Sequence, residues 1–541
     1  MAGRKTPTHS LRKIARKTHP GFHPSHVSYK WFLLGNVMIG TFMAVLDATI
    51  VNVSLPKIMA SFGVGLDKIE WVITAYMLAM AVALPASGWL ADRFGYKRLY
   101  FIGLFLFTLG SFMCGRSEGE NMLIFSRVVQ GLGAGTIQPL GMAIITREFP
   151  PHQRGVALGF WGIAAAASVS FGPLIGGFLV DRFSWPLIFD VNIPVGILAM
   201  LFTVIIQSEY RNSRVRKFDT VGFISVTVFL PLSLYTLSEG NAASNSAGWH
   251  APHILAFAAV SVIALAVFIT AELTVKEPLL DLRLLWNHNF GISSLVMLLF
   301  SLGMFGSTFL LPIYLQNVLG YSAFQAGTVF LPVGIIQGIM APVSGRVSDK
   351  MNPKLPLYIG IILFAFSFYL NSFLSWLTEL DFIMLSLYLR GFAMGITFTA
   401  LSTVSLSEIP REKMAQASAI TNSIRQLGGS LGVAILATML TTRVSFHSQI
   451  YGGAIDQHSV VYQQTTGRIR NHVQHESGSS PAMSSRQSQA ILLTNINKQA
   501  YIEGINDDFL IAGIITLIGI VPVTFLHTKK TNKTKKLPEN G

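Results

Sequence analysis

Cysteine is almost missing from this 541-residue chain. The single copy, Cys114, excludes an intramolecular disulfide, and no Cys/His spacing matches a zinc site. Most of the 13 histidines fall in tails and loops, so no metal site is expected. Charge is scarce as well: 12% of residues are Asp, Glu, Lys or Arg, against 51% hydrophobic. "GLGAG" (131–135) is the nearest approach to a nucleotide loop, but it follows no strand and sits in an apolar helical run. No Gly-Lys-Ser or Gly-Lys-Thr follows a Gly-rich loop, which argues against an ATP-driven pump. No catalytic constellation emerges, and the strict alternation of a β-barrel is absent.

What the chain has in abundance is long apolar runs, near or above the length needed to cross a ~30 Å hydrocarbon core. Fourteen spans are expected, near 31–55, 71–91, 99–115, 122–146, 155–180, 187–207, 219–238, 253–273, 289–318, 325–346, 355–375, 382–407, 415–440 and 508–527. Of the 40 Lys and Arg, 28 fall on the side shared by both termini, 9 on the other, and three inside spans. The positive-inside rule therefore places both termini in the cytoplasm, and it accounts for the net charge of +14 without nucleic acid. The basic opening precedes a span too long for a signal-peptide core and reads as an uncleaved cytoplasmic tail, 1–30, next to anionic headgroups. The polar 441–507 segment is expected outside, with an amphipathic surface helix or hairpin, and 528–541 is a second cytoplasmic tail.

The chain repeats itself. "GWLADRFGYK" (88–97) matches "GRVSDKMNPK" (345–354) at an offset of 257, "QGLGAG" (130–135) matches "RGFAMG" (390–395) at 260, and "GPLIG" (172–176) matches "GGSLG" (428–432) at 256. The expected fold is an all-α polytopic membrane protein with 14 transmembrane helices. A six-helix bundle over 31–207 and another over 289–527 flank a linker, 208–288, that carries two inserted helices. Repeated bundles with a site at their interface are transporter architecture.

"LDATIVNVSLP" (46–56), "GWLADRFGYKR" (88–98), "RVVQGLGAG" (127–135), "SVSFGPLIGG" (168–177) and "WPLIFDVNIPVG" (185–196) together resemble the major facilitator superfamily, in particular its fourteen-span drug:proton antiporter branch of the EmrB/QacA type. Three positions depart from that pattern: Ser168 replaces a usual Gly, Pro186 a usual Arg, and Asp190 an apolar or aromatic residue. The resemblance implies that the 88–98 loop, with Gly88, Asp92, Arg93, Gly95, Lys97 and Arg98 and the repeated Asp349, latches the two halves on the cytoplasmic side. It implies that Gly172, Pro173, Gly176 and Gly177 form an antiporter segment that seals against leak. Close packing of small residues is the plainer reading of that segment.

Asp47 is an ionisable residue within the first apolar span. On a helical wheel Asn36, Gly40, Asp47 and Ser54 fall within about 20° of one line, a polar stripe expected to face a cavity. Asp47 lies ~24 Å from the inner end of its helix, and Arg127 falls at a similar depth on a helix running the other way. Burial disfavours the charged acid and a nearby guanidinium favours it, so the pair reads as a proton switch. A fixed ion pair holding two helices together is the alternative. Asp190 is a rival acid near the outer edge. Arg390 and Arg425 are buried charges in the second half, for gating, acidic contacts or helix packing. The substrate cavity is expected to draw on Asn36, Gly40, Met43, Asn52, Gln130, Gln138, Gln337, Arg390 and Arg425, within a chain rich in Phe and Met.

The expectation is therefore not an enzyme but a secondary transporter of the inner membrane. It would export hydrophobic or amphiphilic compounds in exchange for protons, with no cofactor. Export of a lipid, siderophore, peptide or other metabolite by the same fold is the alternative. If the source cell has an outer membrane, the resemblance implies a periplasmic adaptor and an outer-membrane channel as partners.

Overall fold

The computed structural model describes residues 26–211, 217–240, 245, 247–350, 354–406, 408–409, 413–453, 458–477 and 480–527. Of the two expected tails, only 26–30 fall among them. Helices α1 (His26–Phe62), α2 (Leu66–Phe94), α3 (Tyr96–Gly115), α4 (Glu120–Glu148) and α5 (Pro151–Arg182) come first. A break at Ser184–Pro186 is followed by α6 (Leu187–Asp190) and α7 (Asn192–Ile206), then by the inserted pair α8 (Thr220–Glu239) and α9 (Pro252–Thr274). The second half contains α10 (His288–Asn317), α11 (Ala323–Val329), α12 (Leu331–Lys350), α13 (Lys354–Asn371), α14 (Leu380–Leu406) and α15 (Met414–Gly453). It ends with α16 (Val460–Ser477), α17 (Pro481–Ile518) and α18 (Ile520–Phe525). Thirteen helices among the described residues are long and apolar enough to cross a membrane. The 32-residue α5 occupies the remaining expected span.

Several helices run past the ends that hydropathy marks. The first begins at His26, and α15 continues to Gly453 instead of ending near 440. The 441–507 segment is largely a helical hairpin, α16 packed on α17, and α17 runs on into the last span. Hydropathy locates the edge of the bilayer, whereas a helix ends only where caps and breakers end it. Here Ser480 accepts the Met483 N–H and Pro481 occupies the first turn, so α17 starts far outside the apolar run.

In the N-terminal bundle α1 packs on α5, α4 on both α2 and α3, and α7 on α3. The C-terminal bundle repeats those pairings as α10 on α15, α14 on both α12 and α13, and α17 on α13. The inserted α8–α9 pair leans through α8 against α15 and α2. Side chains facing lipid account for the many exposed apolar residues, such as Phe105, Phe125, Ile205 and Ile263.

The bundles meet through α2 with α15 and through α5 with α11 and α12. At the end carrying the α16–α17 hairpin they are drawn together. A Cβ on Gly177 would strike Ala323 and Phe324, and one on Gly327 would strike Pro173. The Asp181 carboxylate accepts the Phe324 N–H at 2.7 Å and the Ala323 N–H at 3.3 Å, and Gln316 Nε2 donates to the Val53 carbonyl at 2.8 Å. Two glycines and a carboxylate thus close this end, because backbones that approach so tightly leave no room for side chains.

Candidate functional site

The centre of the N-terminal bundle holds a buried carboxylate from α1, an arginine and a glutamine one turn apart on α4, a serine from α3 and the first residue of α7. Arg127 Nη1 pairs with Asp47 Oδ2 and donates to Gln130 Oε1 at 2.6 Å, while Arg127 Nε donates to the Val72 carbonyl at 3.0 Å. Asp47 Oδ1 accepts from Gln130 Nε2 at 2.8 Å and from Asn192 Nδ2 at 2.9 Å. Gln130 Nε2 also reaches Ser111 Oγ at 2.6 Å. The guanidinium lies 4.0 Å from the centroid of the Tyr76 ring, whose hydroxyl donates to the Ala44 carbonyl at 2.9 Å. Asp47, Arg127 and Gln130 are all 0% exposed.

Helix contact makes this possible. Gly131 and Gly135 press α4 onto Tyr76 and Met80 of α2, and Gly133 presses it onto Phe107 of α3. The "QGLGAG" stretch therefore brings three helices close enough for Gln130 and Arg127 to span them. A buried ion pair survives only when its spare donors and acceptors are also met, as they are here. Protonating Asp47 would remove the counter-charge of Arg127, which already holds the Gln130 and Val72 oxygens as other acceptors. The site can thus exchange a proton for a rearranged hydrogen-bond network.

The other cavity candidates on α1 are buried. Asn36 is 1% exposed and donates to Thr203 Oγ1 of α7 at 2.8 Å, Gly40 packs against Tyr100, and Met43 and Asn52 are buried. The stripe meets single polar side chains on apolar neighbours, Thr203 of α7 and Tyr100 of α3. Asp190 stands apart from the Asp47 centre, 24% exposed, and pairs with Arg116 Nη1 at 2.7 Å. Gln138 on α4 and Gln337 on α12 are half-buried.

A family model described as Major Facilitator Superfamily matches residues 37–433. The chain belongs to this superfamily. It is 33% identical over 494 residues to the multidrug export protein EmrB of Escherichia coli K12, covering 89% of this chain and 93% of that one. It is 31% identical over 508 residues to the uncharacterised transporter YhcA of Bacillus subtilis, covering 93% and 94%. The fold also matches a solved bacterial homologue of the human lysosomal transporter Spinster, described as inward-facing and unoccupied. That match has a TM-score of 0.62 at 16% identity and covers 92% of this chain and 98% of the other. This superfamily member is a multi-pass inner-membrane transporter of the drug:proton antiporter branch, not an enzyme.

The superfamily loop at 88–98 is fastened within its own bundle. Tyr96 N–H donates to the Tyr210 carbonyl at 2.9 Å, Lys97 Nζ to the Val204 carbonyl at 2.7 Å, and Arg98 Nε lies 3.6 Å from Glu209. Gly95 has φ +102, which explains the glycine between α2 and α3. Gly88 faces open space. Arg93 is exposed and Asp92 half-buried, with Tyr96 O–H donating to the Asp92 carboxylate at 3.4 Å. Asp349 lies in α12 with its side chain outside the described residues. In the antiporter segment Gly172 and Gly176 meet Thr49 and Ile50 of α1, and Ser168 Oγ donates to the Phe42 carbonyl at 3.0 Å.

In the C-terminal bundle Arg390 is 2% exposed, its guanidinium lies 5.2 Å from the Phe368 ring centroid, and none of its three nitrogens has a hydrogen-bond partner among the described residues. Arg425 is half-buried, donates to Asn422 Oδ1 at 3.1 Å and lies over Phe398. Sequence reasoning missed Asn192, Ser111 and Tyr76. Asn192 stands two residues beyond Asp190 in the same motif, and a full helix wheel of 187–207 would have put the two on different faces.

Proposed function

We propose that this chain is a proton-driven multidrug exporter that moves hydrophobic or amphiphilic compounds out of the cytoplasm by alternating access. Asp47 carries the proton and Arg127 modulates it. The observation that carries this reading is the buried Asp47–Arg127–Gln130–Asn192 network, which ties α1, α4 and α7 through one titratable carboxylate. Protonation from outside weakens the hold of Asp47 on Arg127 and Asn192, freeing these helices to shift. Loss of the proton inside restores the network and resets the pump. The tie to EmrB of Escherichia coli, named a multidrug export protein, supports the cargo class.

The excess of Lys and Arg on the terminal side supports cytoplasmic termini, so the closed hairpin end faces outward. No cofactor enters the cycle. The α16–α17 hairpin is the part that projects beyond the apolar spans. In a cell with an outer membrane, a periplasmic adaptor and an outer-membrane channel would meet the exporter on this side. Drug-dependent proton release from purified protein tests the reading: wild type releases protons on adding drug, and Asp47→Asn does not. Full release and full export by Asp47→Asn would sink it.

A further inference from the structure

The internal repeat carries the polar centre of the N-terminal bundle into the C-terminal one with different contents. An offset of 257 takes Asp47 to Met304, Ser111 to Phe368 and Cys114 to Asn371, and an offset of 260 takes Gln130 to Arg390. The acid of this half comes instead from α17. Asp508 is 0% exposed, and neither of its carboxylate oxygens has a partner among the described residues. Asn371, also fully buried, has no partner for either amide atom among the described residues, and the same holds for the three nitrogens of Arg390. Contacts of Gly513 with Ala365 and Phe368, and an Asn506 Nδ2 bond to the Leu374 carbonyl at 2.9 Å, set this stretch of α17 beside the end of α13 that bears Asn371. The Phe509 and Phe368 rings are 6.3 Å apart, and Phe368 underlies Arg390.

We propose that Asp508 is a second proton-carrying carboxyl of the exchange cycle, loaded from the hairpin side. Asp47 has its lone pairs taken by three side chains, whereas those of Asp508 have no partner among the described residues. An ionised, unpaired carboxylate at this burial is costly, and a proton on either oxygen removes that cost. The adjoining residue on α17 sits in an ion pair nearer the surface. Neighbouring Asp507 is 32% exposed, accepts from or shares a proton with His447 Nε2 of α15 at 2.9 Å, and lies 3.6 Å from Arg443 Nε. A proton leaving the His447–Asp507 pair forms an O–H bond on Asp508, and the pair refills from outside water. From α17 itself Glu503 and Tyr501 lie within two turns of Asp508. On α10 and α13 the charged or imidazole groups, His288 and Lys354, stand at the far ends, while α14 carries Asp381 in its first turn and Arg390 further in.

This inference rests on proton exchange as the driving reaction but not on Asp47 as its carrier. Its test uses the full chain in liposomes with ethidium, a monovalent cation, under imposed pH and voltage gradients. Two protons per ethidium move net charge, and one does not. Wild type should respond to voltage, and Asp508→Asn should keep pH-driven exchange but lose the voltage response. Asp47→Asn should lose pH-driven exchange; if it does not, the Asp47 reading fails while the Asp508 result stands. A wild type already at one proton per ethidium, or an Asp508→Asn variant with unchanged stoichiometry, overturns the proposal. If ethidium is not carried or Asp508→Asn does not fold, infrared spectra decide. A protonated-carboxyl band present in wild type should shift in Asp508→Glu, and no shift overturns the proposal.

Discussion

Arg127 in the N-terminal bundle and Arg390 in the C-terminal one stand one turn apart on the same repeated helix, both buried. Around Arg127 stand a carboxylate, an amide oxygen, a backbone carbonyl and the Tyr76 ring, each within contact distance. Around Arg390 the Phe368 ring is close and its nitrogens have no hydrogen-bond partner among the described residues. Shared connectivity therefore does not imply shared chemistry. One bundle holds a satisfied ion pair whose breakage is expensive, and the other holds buried polar groups with no partner among the described residues.

That contrast can be broken by substitution. Arg127→Ala leaves Asp47 buried without its counter-charge, so stability should fall by ~3–5 kcal/mol and export should vanish, as read by thermal melting in detergent and vesicle transport. The matching change Arg390→Met removes a charge with no ion pair among the described residues and should leave stability unchanged or raise it by ~1–4 kcal/mol. A loss as large as that of Arg127→Ala would erase the distinction between the bundles. Asp181→Ala strips the two N–H groups at the start of α11 of their acceptor and should loosen the hairpin-end closure by ~0.5–2 kcal/mol. Spin-label distances between the ends of α5 and α11 should then lengthen in a larger share of molecules. Asp190→Asn should do least, ~0–1 kcal/mol, because its pair with Arg116 is solvent-accessible. Complete loss of coupling in that variant would move the proton site to the mouth of the bundle.

Much of the architecture was legible in the chain, for a physical reason. Backbone groups in lipid must bond within their own segment, so apolar length alone marks helices, and the spacing of repeated motifs marks two bundles. The closeness of Asp47 and Arg127 followed from rise per residue and opposite helix direction. The hairpin of α16 and α17 was harder to read, because polar sequence says where lipid stops and not where the helix stops. The polar stripe of α1 was visible, but whether Asn36 met water or Thr203 was not.

The sequence alone settled the fold class, the repeat, and the presence of one acid and one arginine at matching depth in the first bundle. It did so because these depend on local helix geometry and on the cost of polar groups in hydrocarbon. Only the tertiary structure decided that Gln130 and Asn192 complete the Asp47 centre, that Asp190 turns away to Arg116, and that Asp508 and Arg390 lie buried with no hydrogen-bond partner among the described residues. Those outcomes depend on how separate helices rotate and pack against one another, which the order of residues along one helix does not specify.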